Sequence, residues 1–197
     1  MRYIFWPLLF AATALFAESV EKTSGSPNAP ITLEVFSDFQ CPHCARLHFG
    51  ALREAMGDCV ASGKVRIIYH DFPLPGHPYA RKAAEYAGAA ARIGRYERIC
   101  DTLFRTQEEW GRTGDVESSV VKDLTPAEAV RLRKMLSDPK SRAEIDRDID
   151  ADLALGNKIP LTETPTMILR GGGKTYPIKG DVRYDLLKQL INSLPVK

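Results

Sequence analysis

The residues predict a mixed α/β fold, with a central sheet flanked by helices and a block of helices inserted into it. Three observations carry that prediction. Two apolar runs of strand length, 31–36 and 65–69, bracket a stretch with helical periodicity. A long Ala-, Arg- and Glu-rich region follows, with helical spacing through much of 79–155. The chain then finishes as a short strand at 166–170, three glycines, a second strand at 174–178 and a last amphipathic helix. A β-α-β start and a β-β-α finish close into one sheet with helices on both faces.

At 197 residues the chain suits one domain with an insertion. Hydrophobic residues make up 44% and charged residues 26%, an ordinary globular balance. The net charge of +2 and the lack of a polybasic cluster exclude a nucleic-acid binder and a membrane-surface binder. Residues 1–17 stand apart. Arg2 precedes an almost unbroken apolar run from Ile4 to Phe16, and Ala17 is followed by polar Glu18 and Ser19. That reads as a secretory signal peptide cleaved after Ala17, with an uncleaved anchor as the alternative. Export places the protein in the periplasm or another extracytoplasmic space, where disulfides persist.

The elements follow in order. Residues 18–30 are rich in Ser, Gly, Pro and Asn and read as a flexible lead-in. The strand at 31–36 is central, and Glu34 inside it is unusual, because a carboxylate is rarely buried without a partner. A helix starts at Cys41, carries the stripe Cys44, Leu47, Ala51, Leu52, Ala55 and extends to about Ser62, with Gly63 as its stop. His48 falls on that stripe and reads as structural. The strand at 65–69 comes next, then a Pro-rich loop to Pro78, which opens the helical block. Gly94 breaks the first helical stretch, and 111–115 is a loop. Thr125-Pro126-Ala127-Glu128 is a capping box with proline at the first helical position. Asp138 and Pro139 repeat the start signal for a helix ending near Leu155, with Gly156 closing the block. The acids of that helix read as a solvated face, with a calcium site as the alternative. Asp181 caps the last helix, whose apolar face carries Leu186, Leu187, Leu190, Ile191 and Leu194.

The chemistry sits in Cys41-Pro42-His43-Cys44, at the junction of strand and helix. Three residues is close to one helical turn, so the two sulfurs can close a short disulfide. Cys41 at the helix start is the exposed thiol and Cys44 the shielded one. Helix N-terminal N–H groups and a protonated His43 would stabilise a Cys41 thiolate, which makes the disulfide an oxidant. Zinc binding through Cys41, Cys44 and His48 is an alternative, but no second ligand pair follows to complete a site. No metal and no cofactor is expected. Cys59 and Cys100 complete an even count of four. In an oxidising compartment they are expected to form a structural disulfide, closing a loop of about forty residues. The alternative is two separate buried thiols.

Cys41-Pro42-His43-Cys44 after Phe36-Ser37-Asp38-Phe39-Gln40 resembles the DsbA-like thiol:disulfide oxidoreductases of the thioredoxin superfamily. Thr164-Pro165-Thr166 resembles that superfamily's cis-proline loop, and Tyr69 to Pro78 resembles its crossing from sheet to helical insertion. The resemblance implies a thioredoxin fold over 31–75 and 156–197 with an inserted helical domain at 76–155. It implies a cis Pro165 facing the cysteines, with Thr164 left to bind substrate backbone. It also makes Glu34 the candidate for a buried acid beneath the disulfide, the alternative being an exposed residue on an edge strand.

The activity implied is donation of the disulfide between Cys41 and Cys44 to folding secreted proteins through a mixed disulfide at Cys41. A quinone-linked membrane partner, DsbB-like or vitamin-K-epoxide-reductase-like, would restore the disulfide. A disulfide reductase or isomerase uses the same motif at a different poise. A non-catalytic peptide- or metal-binding module is the reading from another class.

Overall fold

The computed structural model describes residues 22–195. The expected signal peptide lies outside them. A five-stranded sheet has the order β1-β3-β2-β4-β5, with β1 Thr23–Ser24, β2 Ile31–Ser37, β3 Val65–Asp71, β4 Thr166–Gly171 and β5 Lys174–Lys179. Strands β2 and β3 are parallel, and the other pairs are antiparallel. The parallel pair needs a crossover, and the active-site helix supplies it.

Strand periodicity decides what each face of β2 meets. Ile31, Leu33 and Val35 point into one core shared with Leu47, Leu52 and Ala55 of the helix after β2 and with Leu187 and Ile191 near the chain end. Phe36 points the opposite way, packing with Phe72 and Ile168 beneath Leu153 and Ile159. A second large core lies among the helices α3 Ala80–Arg92, α4 Tyr96–Arg105, α5 Gln107–Thr113, α6 Val116–Val121, α7 Pro126–Ser137 and α8 Pro139–Lys158. Trp110, Ile99, Leu103, Leu132 and Ile145 fill it. Phe39, Cys41 and Cys44 belong to that helical core, so the active-site loop is held by the inserted helices as well as by the sheet.

Several local outcomes differ from the expectations above, and one is that α5 runs through Gly111 to Thr113, inside the expected loop at 111–115. The lead-in is ordered from Lys22 onward. β1 pairs with Ile67 and Ile68, and the Lys22 ammonium lies buried between Asp71 and Asp152, at 2.5 and 2.9 Å. A composition typical of loops is overridden by one buried ion-pair network. The active-site helix is broken. It runs as α1 Pro42–Leu47, a wide turn His48–Leu52, α2 Arg53–Ala55 and a second wide turn Met56–Val60, with Gly50 at φ −94°, ψ −108°. Glycine adopts that backbone without steric cost. Gly156 does not end α8, which continues to Lys158. A Cβ there would meet the Phe72 ring at 2.4 Å, so the glycine permits close packing on the sheet. The last helix, α9 Tyr184–Ser193, starts without Asp181, whose carboxylate is engaged elsewhere.

The Thr125–Glu128 capping box and the Asp138 cap both form as the spacing predicts.

Candidate active site

Cys41 occupies the cap position of α1 in extended geometry, with Pro42 as the first helical residue. Its carbonyl accepts from the Cys44 and Ala45 N–H groups. The turn before it is pinned by Asp38. One carboxylate oxygen accepts from Gln40 N at 2.7 Å; the other accepts from Leu74 N at 2.8 Å and meets His77 Nδ1 at 2.7 Å. The loop after β3 is thereby tied to the active-site turn through one buried carboxylate. Gln107, at the start of α5, donates from its amide to the carbonyls of Phe39 and Cys41, fastening the turn to the inserted helices.

Asp38→Ala orphans two backbone N–H groups. It is expected to cost on the order of 2–4 kcal/mol, with Asp38→Asn costing less because one acceptor remains. Urea unfolding measures it, and a loss within about 0.5 kcal/mol, the range of an ordinary surface change, would show that the carboxylate does not hold the turn.

The sulfurs differ sharply in their surroundings. Cys41 is held well below an ordinary thiol, at about 5. The Cys44 thiol donating to it is the largest cause; the Cys44 N–H and the His43 N–H add to it, against the cost of burial. Cys44 is pushed far up, first by burial and then by donating to its neighbour. Cys44 Sγ also accepts from Asp38 N at 3.4 Å. Against the expectation of an exposed nucleophile, Cys41 is only 5% exposed, though less enclosed than Cys44 at 1%.

His43 takes a different part from the one expected. Its ring turns away to Asp181, at 2.7 Å, beside the Arg46 guanidinium on the same carboxylate at 2.6 Å. The main-chain N–H of His43, rather than its imidazole, is what supports the Cys41 thiolate. His48 contacts Asp101 at 2.6 Å and lies against Phe104. Among the described residues no group of three or more His, Cys, Asp or Glu side chains converges on a metal position.

The Thr164–Pro165 peptide bond is cis. The Thr164 carbonyl accepts from Cys41 Sγ at 3.3 Å, bringing residues 123 positions apart together. The Pro165 carbonyl accepts from Gly180 N at 2.9 Å, which ties the loop to the end of β5.

Glu34 is not beneath the cysteines. It alternates with Leu33 and Val35 on β2, so it faces α8, while Cys44 sits over the opposite face beside Ser37. Its carboxylate takes Arg170 Nε at 2.7 Å, and His70 Nε2 lies 3.8 Å away. The strand is central, so the edge-strand alternative fails as well. The expected bond between Cys59 and Cys100 is not formed. Both are free thiols in different cores. Cys59 packs in the sheet core near Tyr184, and Cys100 lies in the helical core. An even cysteine count does not bring two thiols within the roughly 7 Å that a bond requires.

Sequence reasoning gave no role to Asp38, Gln107 or the network of Lys22, Asp71 and Asp152, and took Asp181 for a helix cap. Only Asp38, inside the motif, carried a visible signal.

A family model described as Thioredoxin matches residues 18–193. The chain is 33% identical over 149 residues to an Na(+)/H(+) antiporter NhaA 3 from Salinispora tropica, spanning 75% of this chain and 21% of that protein. It is 25% identical over 169 residues to a probable disulfide bond formation protein D from Bacillus cereus, spanning 80% of this chain and 73% of that one. Among solved structures it is similar to alpha-DsbA1 from Wolbachia pipientis, with a TM-score of 0.70 at 21% identity over 88% of this chain and 90% of that one. It is also similar to oxidised BdbD from Bacillus subtilis, with a TM-score of 0.71 at 21% identity over 88% and 91%. A match that spans nearly the whole described chain, over a sheet and helices arranged as in these structures, settles the family: the chain belongs to the thioredoxin family.

Proposed function

We propose that the protein is an extracytoplasmic thiol:disulfide oxidoreductase of the DsbA type that passes the disulfide of Cys41 and Cys44 to reduced secreted proteins. The observation that carries this reading is the asymmetry of the two sulfurs. Cys41 is stabilised as a thiolate at a helix start, while Cys44 is kept as a thiol behind it. A stabilised thiolate is a good leaving group, so the reduced form is favoured and the disulfide is readily given away. The name of the Bacillus cereus relative, which concerns disulfide formation, supports the same reading.

A substrate thiolate attacks Cys41 Sγ, the bond to Cys44 breaks, and Cys44 leaves as a thiolate that takes up the proton given off when the substrate thiol ionised. A second substrate thiolate then attacks the substrate sulfur of the mixed disulfide, and Cys41 departs as its stabilised thiolate. Thr164 and Pro165, beside Cys41, offer an extended substrate a place to lie as an added strand, held by backbone hydrogen bonds. A quinone-linked membrane protein, DsbB-like or vitamin-K-epoxide-reductase-like, would take the two electrons and restore the disulfide. The apolar leader supports export to the periplasm. Among the described residues no helix is long and apolar enough to cross a membrane.

The test is a glutathione redox titration of the purified protein, together with oxidation of a reduced, unfolded test protein. The expected potential lies near that of a strong dithiol oxidant, about −120 mV, with stoichiometric transfer of the disulfide. A potential near about −270 mV would instead support a reductase. No transfer at all would support a non-catalytic binding module.

A further inference from the structure

The His43 ring is held away from Cys41 from two sides. Its Nδ1 lies 2.7 Å from Asp181 Oδ1 and 2.6 Å from a terminal nitrogen of Arg46. One ring nitrogen serves one partner at a time. Protonated, Nδ1 donates to Asp181; unprotonated, it accepts from Arg46. Arg46 is itself fixed by Asp181, donating from Nε to Oδ2 at 2.6 Å. The same carboxylate therefore anchors the ring in either state. The ring is 58% exposed, so hydrogen bonds rather than packing hold it. The place of Asp181 is built into the fold. Gly180, at φ 76°, turns the chain out of β5, and its N–H donates to the Pro165 carbonyl at 2.9 Å. That is the loop whose Thr164 carbonyl meets Cys41, and Asp181 follows directly.

We propose that Asp181 is a positioning residue that restrains the oxidising strength of the Cys41 and Cys44 pair by keeping the His43 imidazole off the Cys41 sulfur; this rests on the oxidoreductase reading above. The other place for the ring is close at hand. The main-chain N–H of His43 already supports the Cys41 sulfur. The imidazole belongs to that same residue, so rotation about the Cα–Cβ bond to another staggered position carries it from Asp181 toward the thiolate. There a ring N–H adds a hydrogen bond to a charged acceptor, which is the stronger kind. On Asp181 that donor is spent on a different anion. The Asp181 carboxyl is kept at about 2, by the His43 contact first and the Arg46 contact second, so it stays charged wherever the site works. The neighbouring charges in the adjoining groove do not compete for it, because Arg183 is paired with Asp185 at 2.7 Å.

The consequence falls on the exchange equilibrium. With glutathione disulfide as the oxidant, the Cys41 thiolate and the Cys44 thiol become one disulfide, and glutathione disulfide becomes two glutathione thiols. Two electrons pass to glutathione, and one proton is taken from solvent. Only the reduced side carries the Cys41 thiolate. Whatever stabilises that thiolate draws the equilibrium to the reduced side and makes the disulfide easier to give away. A ring left on Asp181 adds nothing to either side, whereas a released ring acts on the reduced side alone.

The experiment equilibrates the wild type, D181A, D181N, H43A and H43A/D181A with mixtures of reduced and oxidised glutathione at pH 7. Ultraviolet thiolate absorbance of each reduced protein is followed across pH. D181A is expected to shift the equilibrium about tenfold toward the reduced protein, the weight of one hydrogen bond gained by a charged group, and to move the absorbance midpoint down by about one unit. D181N keeps the shape of the side chain, so a folding failure of D181A cannot hide the effect; it is expected to shift both readouts in the same direction. In H43A/D181A the gain is expected to disappear, leaving that variant within about twofold of H43A. The cycle separates positioning from plain electrostatics, because a lost carboxylate or a freed Arg46 acts on Cys41 with or without the ring. Equilibria of D181A and D181N both within about twofold of the wild type overturn the proposal, as does a D181A gain that survives in H43A/D181A. A shift of about tenfold toward the oxidised protein in H43A alone overturns it too, since the ring would then already serve Cys41 with Asp181 in place. Failure of the wild type to reach any equilibrium with glutathione would overturn the oxidoreductase reading and this inference with it, whereas a wild type that equilibrates together with unchanged Asp181 variants would overturn this inference alone.

Discussion

Cys41→Ser is expected to reduce oxidation of a reduced test protein to the uncatalysed level, while Cys44→Ser, loaded at Cys41 as its mixed disulfide with glutathione, is expected to release the glutathione and accumulate a covalent complex with a test protein that carries a single thiol. The two sulfurs sit one helical turn apart and are not interchangeable. Cys41 is capped by main-chain N–H groups and lies against the Thr164 carbonyl, where an extended substrate would arrive. Cys44 is sealed between β2 and the inserted helices and accepts from Asp38 N. An incoming thiolate therefore has a path to Cys41 and none to Cys44. Without Cys41 there is no electrophilic sulfur to attack. Without Cys44 no neighbouring thiol can displace the partner from Cys41, and a partner with one thiol has no second thiolate to do so, so the mixed disulfide persists. Non-reducing electrophoresis with mass spectrometry of the adduct reads both outcomes. Full turnover by Cys44→Ser would mean that the assigned order of attack is wrong.

The order of the main strands and of the helix that carries Cys41 and Cys44 was legible in the chain because it depends on local signals. Pro42 just after a helix cap, the capping box of Thr125 and Glu128, the repeated cap at Asp138 and the glycines of the β4–β5 turn act over a few residues, and each forms where the spacing places it. What was not legible depends on which layer covers which face. Glu34 and Ser37 are three residues apart, and strand alternation sends them to opposite sides of the sheet, so the acid in the motif's own strand meets Arg170 while Ser37 shares the face that Cys44 lies over. Asp71 acquires its place only because β3 runs parallel to β2 in a register that pairs it with Ser37. Lys22 and Asp152 are 130 positions apart, and their pairing exists only once β1 and α8 have closed over the end of β3. Asp181 looked like a helix cap because it precedes an amphipathic run by a few residues. The helix begins three residues later, and the carboxylate is used to hold His43 and Arg46. The two remaining cysteines show the same limit: compartment and parity said nothing about the two cores that separate them.

The reduced protein is expected to gain stability over the oxidised protein by about 4 kcal/mol between pH 5 and pH 8. Cys41 titrates at about 5 in the fold, against a thiol reference value of 9.0 for the unfolded chain. A group whose folded value is depressed stabilises the fold fully above its unfolded value, and that stability is lost as pH falls through the folded value. Each pH step between the two values adds about 1.4 kcal/mol, because the unfolded thiol still holds a proton that the folded thiolate has released. Cys44 works in the opposite sense, since burial raises it, but its effect starts only above the unfolded thiol range. Keeping the measurement below about pH 8 therefore isolates Cys41, given an ordinary thiol near 8.5. The oxidised protein has no thiolate at this position and carries the same carboxylates and histidines, so their contributions largely cancel in the difference. Urea unfolding of both redox forms at half-unit pH intervals supplies the curve, with the reduced form's 240 nm thiolate absorbance marking the midpoint independently. A reduced-minus-oxidised difference that stays flat from pH 5 to pH 8, or an absorbance midpoint near 8.5, would mean that the Cys44 thiol and the helix N–H groups do not hold Cys41 as a thiolate. The disulfide would then lack the driving force that the proposed oxidase activity needs.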